Sequence, residues 1–287
     1  MYFRTFYGVP DTVVAPDGTP VNAVRGFLDA VARLVTEYEP TQLVAAFDAD
    51  WRPQWRVDLL PSYKEHRVAA TGEEEVPDLL SPQVPVIEAA LDAVGVARVG
   101  VPDYEADDVL GTLCAEAVCP TDVVTGDRDL FQLVDDARGI RVLYTGKGFA
   151  KLDRVDEAWI VDKYGVRASE YVAFATLRGD PSDGLPGVRG VGDKTAAAIV
   201  GVVGSVEGVL AALGDPSVEL PARAKLAEAQ EYLAVAPQVV RVRLDVPLPE
   251  LHPRLSRSRV DGAQVSALGE RWGISRSLDR LVAALPD

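Results

Sequence analysis

The sequence predicts an α/β fold, a mostly parallel sheet flanked by helices, followed by a helical region. Three observations carry that prediction. Short apolar runs alternate with longer runs of helical period. Two of the short runs end in carboxylates, at Asp48 and at Asp127 with Asp129. From about residue 156 onward the pattern is helical.

The opening Met1-Tyr2-Phe3-Arg4-Thr5-Phe6 begins with aromatics and no lead-in strand. A loop follows, marked by Pro10, Pro16, Gly18 and Pro20. A helix is predicted over 22–38, with Val24, Phe27, Leu28, Val31, Leu34 and Val35 on its apolar side and Pro40 ending it. Residues 43–47 read as a buried strand that stops at Asp48, and open α/β sheets place ligand-binding groups at such strand ends. The segment from Trp51 to Arg67 mixes aromatic and basic residues, with Arg56, Tyr63, Lys64 and Arg67 among them. That mixture suits a phosphate backbone and unstacked bases, or else an amphipathic loop with its aromatics in the core. An acid run at 73–75 follows and reads as a mobile surface loop.

A helix is predicted over 81–94 and a short strand over 96–99. Then comes a stretch with four carboxylates within six residues, Asp103-Tyr104-Glu105-Ala106-Asp107-Asp108, in front of Val109, Leu110 and Leu113. Asp103 is the predicted N-cap of a helix, on which Glu105 and Asp108 share a face with Asp107 beside them. Like charges that close call for a cation, and a hard divalent metal is the usual one. Residues 122–125 form the next strand, Gly126 permits a tight turn, and Leu130, Phe131 and Leu133 begin a helix. Residues 140–144 are one more strand.

The run Gly179-Asp180-Pro181-Ser182-Asp183-Gly184-Leu185-Pro186-Gly187-Val188-Arg189-Gly190-Val191-Gly192-Asp193-Lys194-Thr195-Ala196 is the informative part of the helical region. Asp180 and Asp183 are spaced for convergence on one point. Gly187, Gly190 and Gly192 let the backbone approach a phosphate, and a helix starting near Asp193 presents free N–H groups and Lys194 to an anion. The remainder is helical, with an extended piece at 239–246.

Composition narrows the classes. The 287 residues carry 44 acids against 29 bases, a net charge of −15, which by itself disfavours a phosphate-rich partner unless bound metal offsets the acids. Two histidines and two cysteines leave no Cys/His zinc site, so any metal site uses oxygen ligands. No apolar run is long enough to span a bilayer and no signal peptide opens the chain, so a cytoplasmic location is the default expectation.

Taken in order, Phe47-Asp48, Tyr63-Lys64 with Arg67, Tyr104 to Asp108, Thr125 to Asp129 and Gly179 to Ala196 resemble the flap endonuclease and 5′→3′ exonuclease family. The likeness is to the 5′-nuclease domain of bacterial DNA polymerase I and its stand-alone relatives. It implies a PIN-like nuclease core over 1–166, with a gateway segment near 51–80. A helix-three-turn-helix DNA-binding region with C-terminal helices would span 167–287. By resemblance, Asp48, Glu105, Asp107, Asp108, Asp127, Asp129, Asp180 and Asp183 hold two or more Mg²⁺ or Mn²⁺ ions. Lys64, Arg67 and Arg4 serve the scissile phosphate. Tyr63 stacks on a terminal base, and Arg56, Gly187, Arg189, Gly190, Gly192, Lys194 and Thr195 contact DNA. The glycine turn also resembles one that holds a monovalent cation such as K⁺. The implied substrate is DNA with 5′ ends or 5′ flaps, and a nucleoid-associated monomer is expected through this resemblance only.

The sequence departs from the family at two places. Family members open with a hydrophobic strand ending in a metal-binding Asp-Gly, and this chain begins just after that point. The departure raises an alternative, a weakened or inactive DNA-structure binder. Gly184 stands where polymerase-like members carry Asn, a change expected to matter little. A PIN-type ribonuclease and a phosphatase using Asp127-Arg128-Asp129 are the remaining classes, and neither accounts for the glycine hairpin.

Overall fold

A computed structural model describes residues 1–69 and 77–287, so the acid run at 73–75 lies outside the described residues. The elements run α1 (Tyr2–Gly8), α2 (Asn22–Tyr38), β1 (Val44–Ala46), α3 (Gln54–Leu59), α4 (Val84–Ala93), β2 (Ala97–Val99), α5 (Ala106–Glu116), β3 (Thr121–Thr125), β4 (Ile140–Tyr144) and β5 (Asp153–Val155). They continue with α6 (Glu157–Tyr164), α7 (Tyr171–Arg178), α8 (Asp193–Val203), α9 (Val206–Leu213), α10 (Arg223–Glu228), α11 (Gln230–Val240), α12 (Gly262–Trp272) and α13 (Ser275–Ala284).

These elements form two compact units whose segments interleave along the chain. Of the described residues, one unit holds 1–47, 77–100 and 247–287; the other holds 48–69 and 101–246. The packing thus groups segments that are distant along the chain. The C-terminal helices α12 and α13 belong with the N-terminal elements, because Leu278 and Leu281 share a core with Phe27, Leu28 and Val31.

In the first unit α2 is amphipathic as predicted, burying Val24, Phe27, Leu28, Val31 and Val35. Glu39 ends it in a left-handed conformation just before Pro40. A buried polar link ties its start to the turn before α4. Gln83 accepts from Ala23 N (2.8 Å) and donates to Asn22 Oδ1 (3.0 Å), so the buried Gln83 amide is paired at both its oxygen and its nitrogen. Strands β1 and β2 pair in parallel, Val44 opposite Ala97.

In the second unit β3 and β4 pair in parallel, while β4 and β5 pair antiparallel. Phe131 sits at the centre of the core, with the rings of Tyr144, Trp159 and Tyr171 set edge-on at 5.2, 5.5 and 5.5 Å. Edge-to-face packing of this kind favours aromatic pairs beyond the area they bury. Helices α7, α8, α9 and α11 close over the same core through Phe174, Leu177, Ile199, Val209 and Leu233.

The α/β class holds, and two of the three strand pairings are parallel. Several details differ from expectation. The described strands form two separate sheets, β1-β2 and β3-β4-β5, each packed on its own core. The opening residues make a helix, α1. The helix expected from Leu130 is one short 3-10 turn, Asp129–Leu133. Asp103 is not the cap of α5: it takes φ +67° in the preceding turn. Glu105 caps instead, in a capping box with Asp108. Among the described residues no single helix is long and apolar enough to cross a membrane.

Candidate active site

The second unit brings most of the predicted acidic residues together, and it does so from four separate stretches of chain. Two of the carboxylates are spent on structure. Arg56, only 2% exposed on α3, donates from Nη1 and Nη2 to the two oxygens of Asp108 at 2.7 Å each. Asp108, 0% exposed, also accepts from Arg243 N (2.8 Å) and Glu105 N (3.3 Å). Both of its oxygens are committed to protein donors. Its expected role as a metal ligand is therefore not the one the geometry supports, and it anchors α5 to α3 and to the strand-like stretch after α11. Arg56 is likewise buried, which does not support its expected contact with DNA. Its guanidinium lies 4.3 Å over the Trp55 ring and donates to Val239 O (3.1 Å). Asp108 and Glu105 hold it cationic against the desolvation that would otherwise lower its pKa.

Glu105 organises the next layer. Its Oε1 accepts from Tyr63 Oη (2.7 Å) and Arg56 Nη1 (3.3 Å), and its Oε2 pairs with Lys64 Nζ. Burial pushes the Glu105 carboxyl up, and the Lys64 and Arg56 charges oppose it. For Lys64 burial acts downward, but Glu105 and Asp183 more than offset it and the ammonium pKa rises. With two cationic donors on Glu105, we read the pair as ionised. Tyr63 is 4% exposed and belongs to the same buried core as Val123 and Leu177. Stacking on a base, its expected role, is closed to it in this arrangement. The aromatic-basic segment thus serves the core more than a surface.

The remaining acids are held close without being neutralised. Asp48 Oδ1 accepts from Ala106 N (2.8 Å), capping the first turn of α5. Asp107 extends from that same turn. Its pKa lies well above the usual carboxylate range, through burial first and then the charges of Asp127, Asp48 and Glu105. Asp127 follows β3, where its Oδ1 accepts from Asp129 N (2.8 Å). Burial raises it too, reinforced by Asp183. Asp129 is raised well above normal by burial and by Asp127, Asp183 and Asp180, and its Oδ1 is buried with no hydrogen-bond partner.

Asp180 and Asp183 were expected to converge on one point, and each is turned to its own donors. Asp180 Oδ1 accepts from Ser182 N (2.9 Å) and Oγ (2.5 Å), with Arg128 and Arg178 both 3.7 Å from Oδ2. Asp183 Oδ1 accepts from Arg67 Nη2 (2.9 Å). As they stand, no three acidic, histidine or cysteine side chains among the described residues close around an ion-sized point. The acids are nevertheless near enough to raise one another's pKa.

The chemistry of this donor set suits a hard divalent cation. It offers oxygen only, it is repelled by itself, and it contains one buried oxygen, Asp129 Oδ1, that has no donor. Asp107, Asp127 and Asp129 are the residues that would hold such an ion. Asp48, Asp180 and Asp183 lie around them and reach Asp107, Asp127 or Asp129 electrostatically.

Two of the three hairpin glycines lie at positive φ, and Gly192, at φ −104°, does not, which corrects the expectation that all three bend that way. Gly187 and Gly190 take φ +64° and +72°, and Gly192 is the N-cap of α8. Arg189, Gly190, Gly192 and Lys194 are exposed and Thr195 is half-buried. Gly190 O accepts from Lys225 Nζ (3.0 Å), so a lysine ammonium already engages one carbonyl of the turn proposed for K⁺. Arg4 lies exposed on α1, in the first unit. Sequence reasoning missed Arg178 and Arg128 as cations beside Asp180; basic residues flanking Asp180 and Asp129 in sequence were the available signal.

Comparison with known proteins follows the same lines. A family model described as 5′-3′ exonuclease, N-terminal resolvase-like domain, matches residues 1–165. A second, 5′-3′ exonuclease, C-terminal SAM fold, matches residues 166–263. The chain is 59% identical to a 5′-3′ exonuclease of Streptomyces coelicolor, over 99% of this chain and 97% of that one. It is 48% identical to a 5′-3′ exonuclease of Mycobacterium tuberculosis, over 99% and 95%. Among solved structures, the T5 D15 flap endonuclease in a pseudo-enzyme-product complex with DNA and metal ions matches with a TM-score of 0.58. That match has 14% identity, over 91% of this chain and 88% of that one, and speaks to fold alone.

Proposed function

Because the chain belongs to the 5′-3′ exonuclease family, we propose that it hydrolyses DNA phosphodiesters at 5′ ends and 5′ flaps, with Mg²⁺ or Mn²⁺ held by Asp107, Asp127 and Asp129. The observation that carries this reading is the cluster of those three carboxylates, Asp129 buried and Asp107 and Asp127 half-buried, each raised by desolvation and by acidic neighbours, with Lys64 acting on two of them. When bound, divalent cations polarise the phosphoryl group and lower the pKa of an attacking water.

The side chains divide the remaining work. Asp107, Asp127 and Asp129 give up their protons as they take a cation, so their affinity for it rises with pH. Glu105, gripped by Tyr63 and Arg56, holds Lys64 at one place, and Lys64 Nζ is held further by Trp51 O (3.2 Å). A cation fixed in that way stabilises charge that builds on a phosphate in the transition state without having to reorganise. Arg67 steadies Asp183 from the same segment. Away from the acids, the glycine hairpin offers exposed Arg189 and Lys194 and the N–H groups at the start of α8, which suits contact with a phosphate backbone and not with bases. The reading as a weakened DNA binder is not adopted, since near full-length relatives bear the exonuclease name.

The test is cleavage of a 5′-labelled flap substrate in Mg²⁺ by the protein and by Asp127→Asn. Loss of cleavage with duplex binding retained is expected. Cleavage at the normal rate by the variant, or equal cleavage of the same flap made of RNA, would remove the proposal.

A further inference from the structure

Gly184, where the sequence alone suggested nothing of consequence, lies directly against the backbone of Ser62 and Lys64. Its φ is +71°, in the left-handed region. That angle alone does not require glycine, since asparagine tolerates it. The contact does. A Cβ placed on Gly184 would lie 2.0 Å from the carbonyl oxygen of Ser62, 3.0 Å from its carbonyl carbon and 3.1 Å from Lys64 N. All three are backbone atoms and cannot rotate aside.

What rests on Gly184 is the segment that carries Lys64. Ser62 Oγ donates to Gly184 O (2.8 Å), Lys64 N donates to Asp183 O (2.9 Å), and Arg67 Nη2 donates to Ser182 O (2.5 Å). From the other side Arg52 clamps the same piece, donating to Tyr63 O (2.6 Å) and Pro61 O (2.9 Å). Lys64 itself takes φ +49°, a conformation a lysine holds only when its surroundings impose it. The bare α-carbon of Gly184 is what permits the close seat, and the seat imposes the turn at Lys64.

We propose that Gly184 is a positioning residue, a Cβ-free platform that docks the Ser62–Lys64 backbone and so sets where the Lys64 ammonium meets Glu105. The chain carries this docking within itself, before any substrate arrives. The consequence for cleavage rests on the nuclease reading above, while the docking itself is testable without it.

Limited trypsin digestion provides that test, because Lys64 and Arg67 are themselves tryptic sites. Gly184→Ala and Gly184→Asn are expected to speed cutting after Lys64 and Arg67 by roughly 5- to 100-fold, the range an overpacked contact produces. Gly201→Ala, at a helical position with open space around its α-carbon, serves as the control and is expected to change nothing. In flap cleavage the Gly184 variants should lose kcat while duplex affinity holds, and in a Lys64→Ala background they should add no further loss. If Gly184→Ala fails to fold, Ser62→Ala, which deletes only the Ser62–Gly184 hydrogen bond, is expected to raise the cutting rate by roughly threefold to tenfold. Wild-type resistance to trypsin in whichever variant folds, or a Gly184→Ala loss of kcat that persists undiminished without Lys64, would overturn the proposal.

Discussion

Replacing Asp108 by Asn should unfold the protein more than it should blunt its chemistry. Each Asp108 oxygen faces one Arg56 nitrogen at 2.7 Å, and backbone N–H groups of Arg243 and Glu105 complete the shell. An amide of the same shape would point its NH₂ at one of those donors, and the guanidinium would lose the nearer of its two carboxylate partners and keep only Glu105 at 3.3 Å, in a buried site. Breaking one side of a buried ion pair costs about 3–5 kcal/mol. Against a typical stability of about 5–15 kcal/mol that is a large fraction. At about 2–4 °C per kcal/mol for a domain of 150–250 residues, the melting temperature should fall by about 6–20 °C. Urea titration followed by Trp fluorescence measures the loss, and flap cleavage is assayed well below the variant's transition. Arg56→Met combined with Asp108→Leu should recover much of the deficit, because apolar groups of similar volume can replace such a pair. An Asp108→Asn protein as stable as the wild type but unable to cleave would refute the reasoning and restore Asp108 to the metal site.

Three further outcomes are expected. In chelator, Asp129→Asn should raise the melting temperature while abolishing cleavage in Mg²⁺. The folded pKa of Asp129 is raised, so the folded state binds more protons, and this carboxyl destabilises the fold increasingly as pH rises from about 4 through its raised value. The wild-type minus Asp129→Asn difference, followed by scanning calorimetry, should therefore grow more unfavourable with pH; a flat difference would count against the buried, repelled carboxylate. Lys64→Met should lower kcat by about 10²–10³, as loss of one preorganised charge-stabilising group does, and single-turnover kinetics would show a smaller effect if the lysine only braces Glu105. Finally, a thiol reagent at pH 8 should label exposed Cys119 and spare Cys114, whose thiol burial pushes up to about 11; two reactive thiols in the folded protein would contradict the packing around α5.

Local rules made much of this chain legible in advance. Helix α2 could be read to its ends, because its apolar period and Pro40 depend only on neighbours in sequence. Strand β4 and the start of α8 were readable for the same reason. Residue types also pointed to an oxygen-only cation site, with eight acids between Asp48 and Asp183 as its candidates, since a chain with two histidines and this many acids has little other metal chemistry open to it.

Tertiary structure decided which acid does what. Asp107 and Asp108 are adjacent and alike in sequence, but consecutive helical positions face about 100° apart. One is left among repelling carboxylates, while the other meets an arginine 52 residues away. Tyr63 and Arg56 looked like surface groups because aromatic-basic composition is shared by nucleic-acid contacts and by buried ion pairs. Gly184 seemed interchangeable because nothing in its own neighbourhood of sequence announces the Ser62 carbonyl that lies against it. Pattern is a property of the neighbouring chain, whereas burial, charge pairing and close approach are set by partners that only folding brings near.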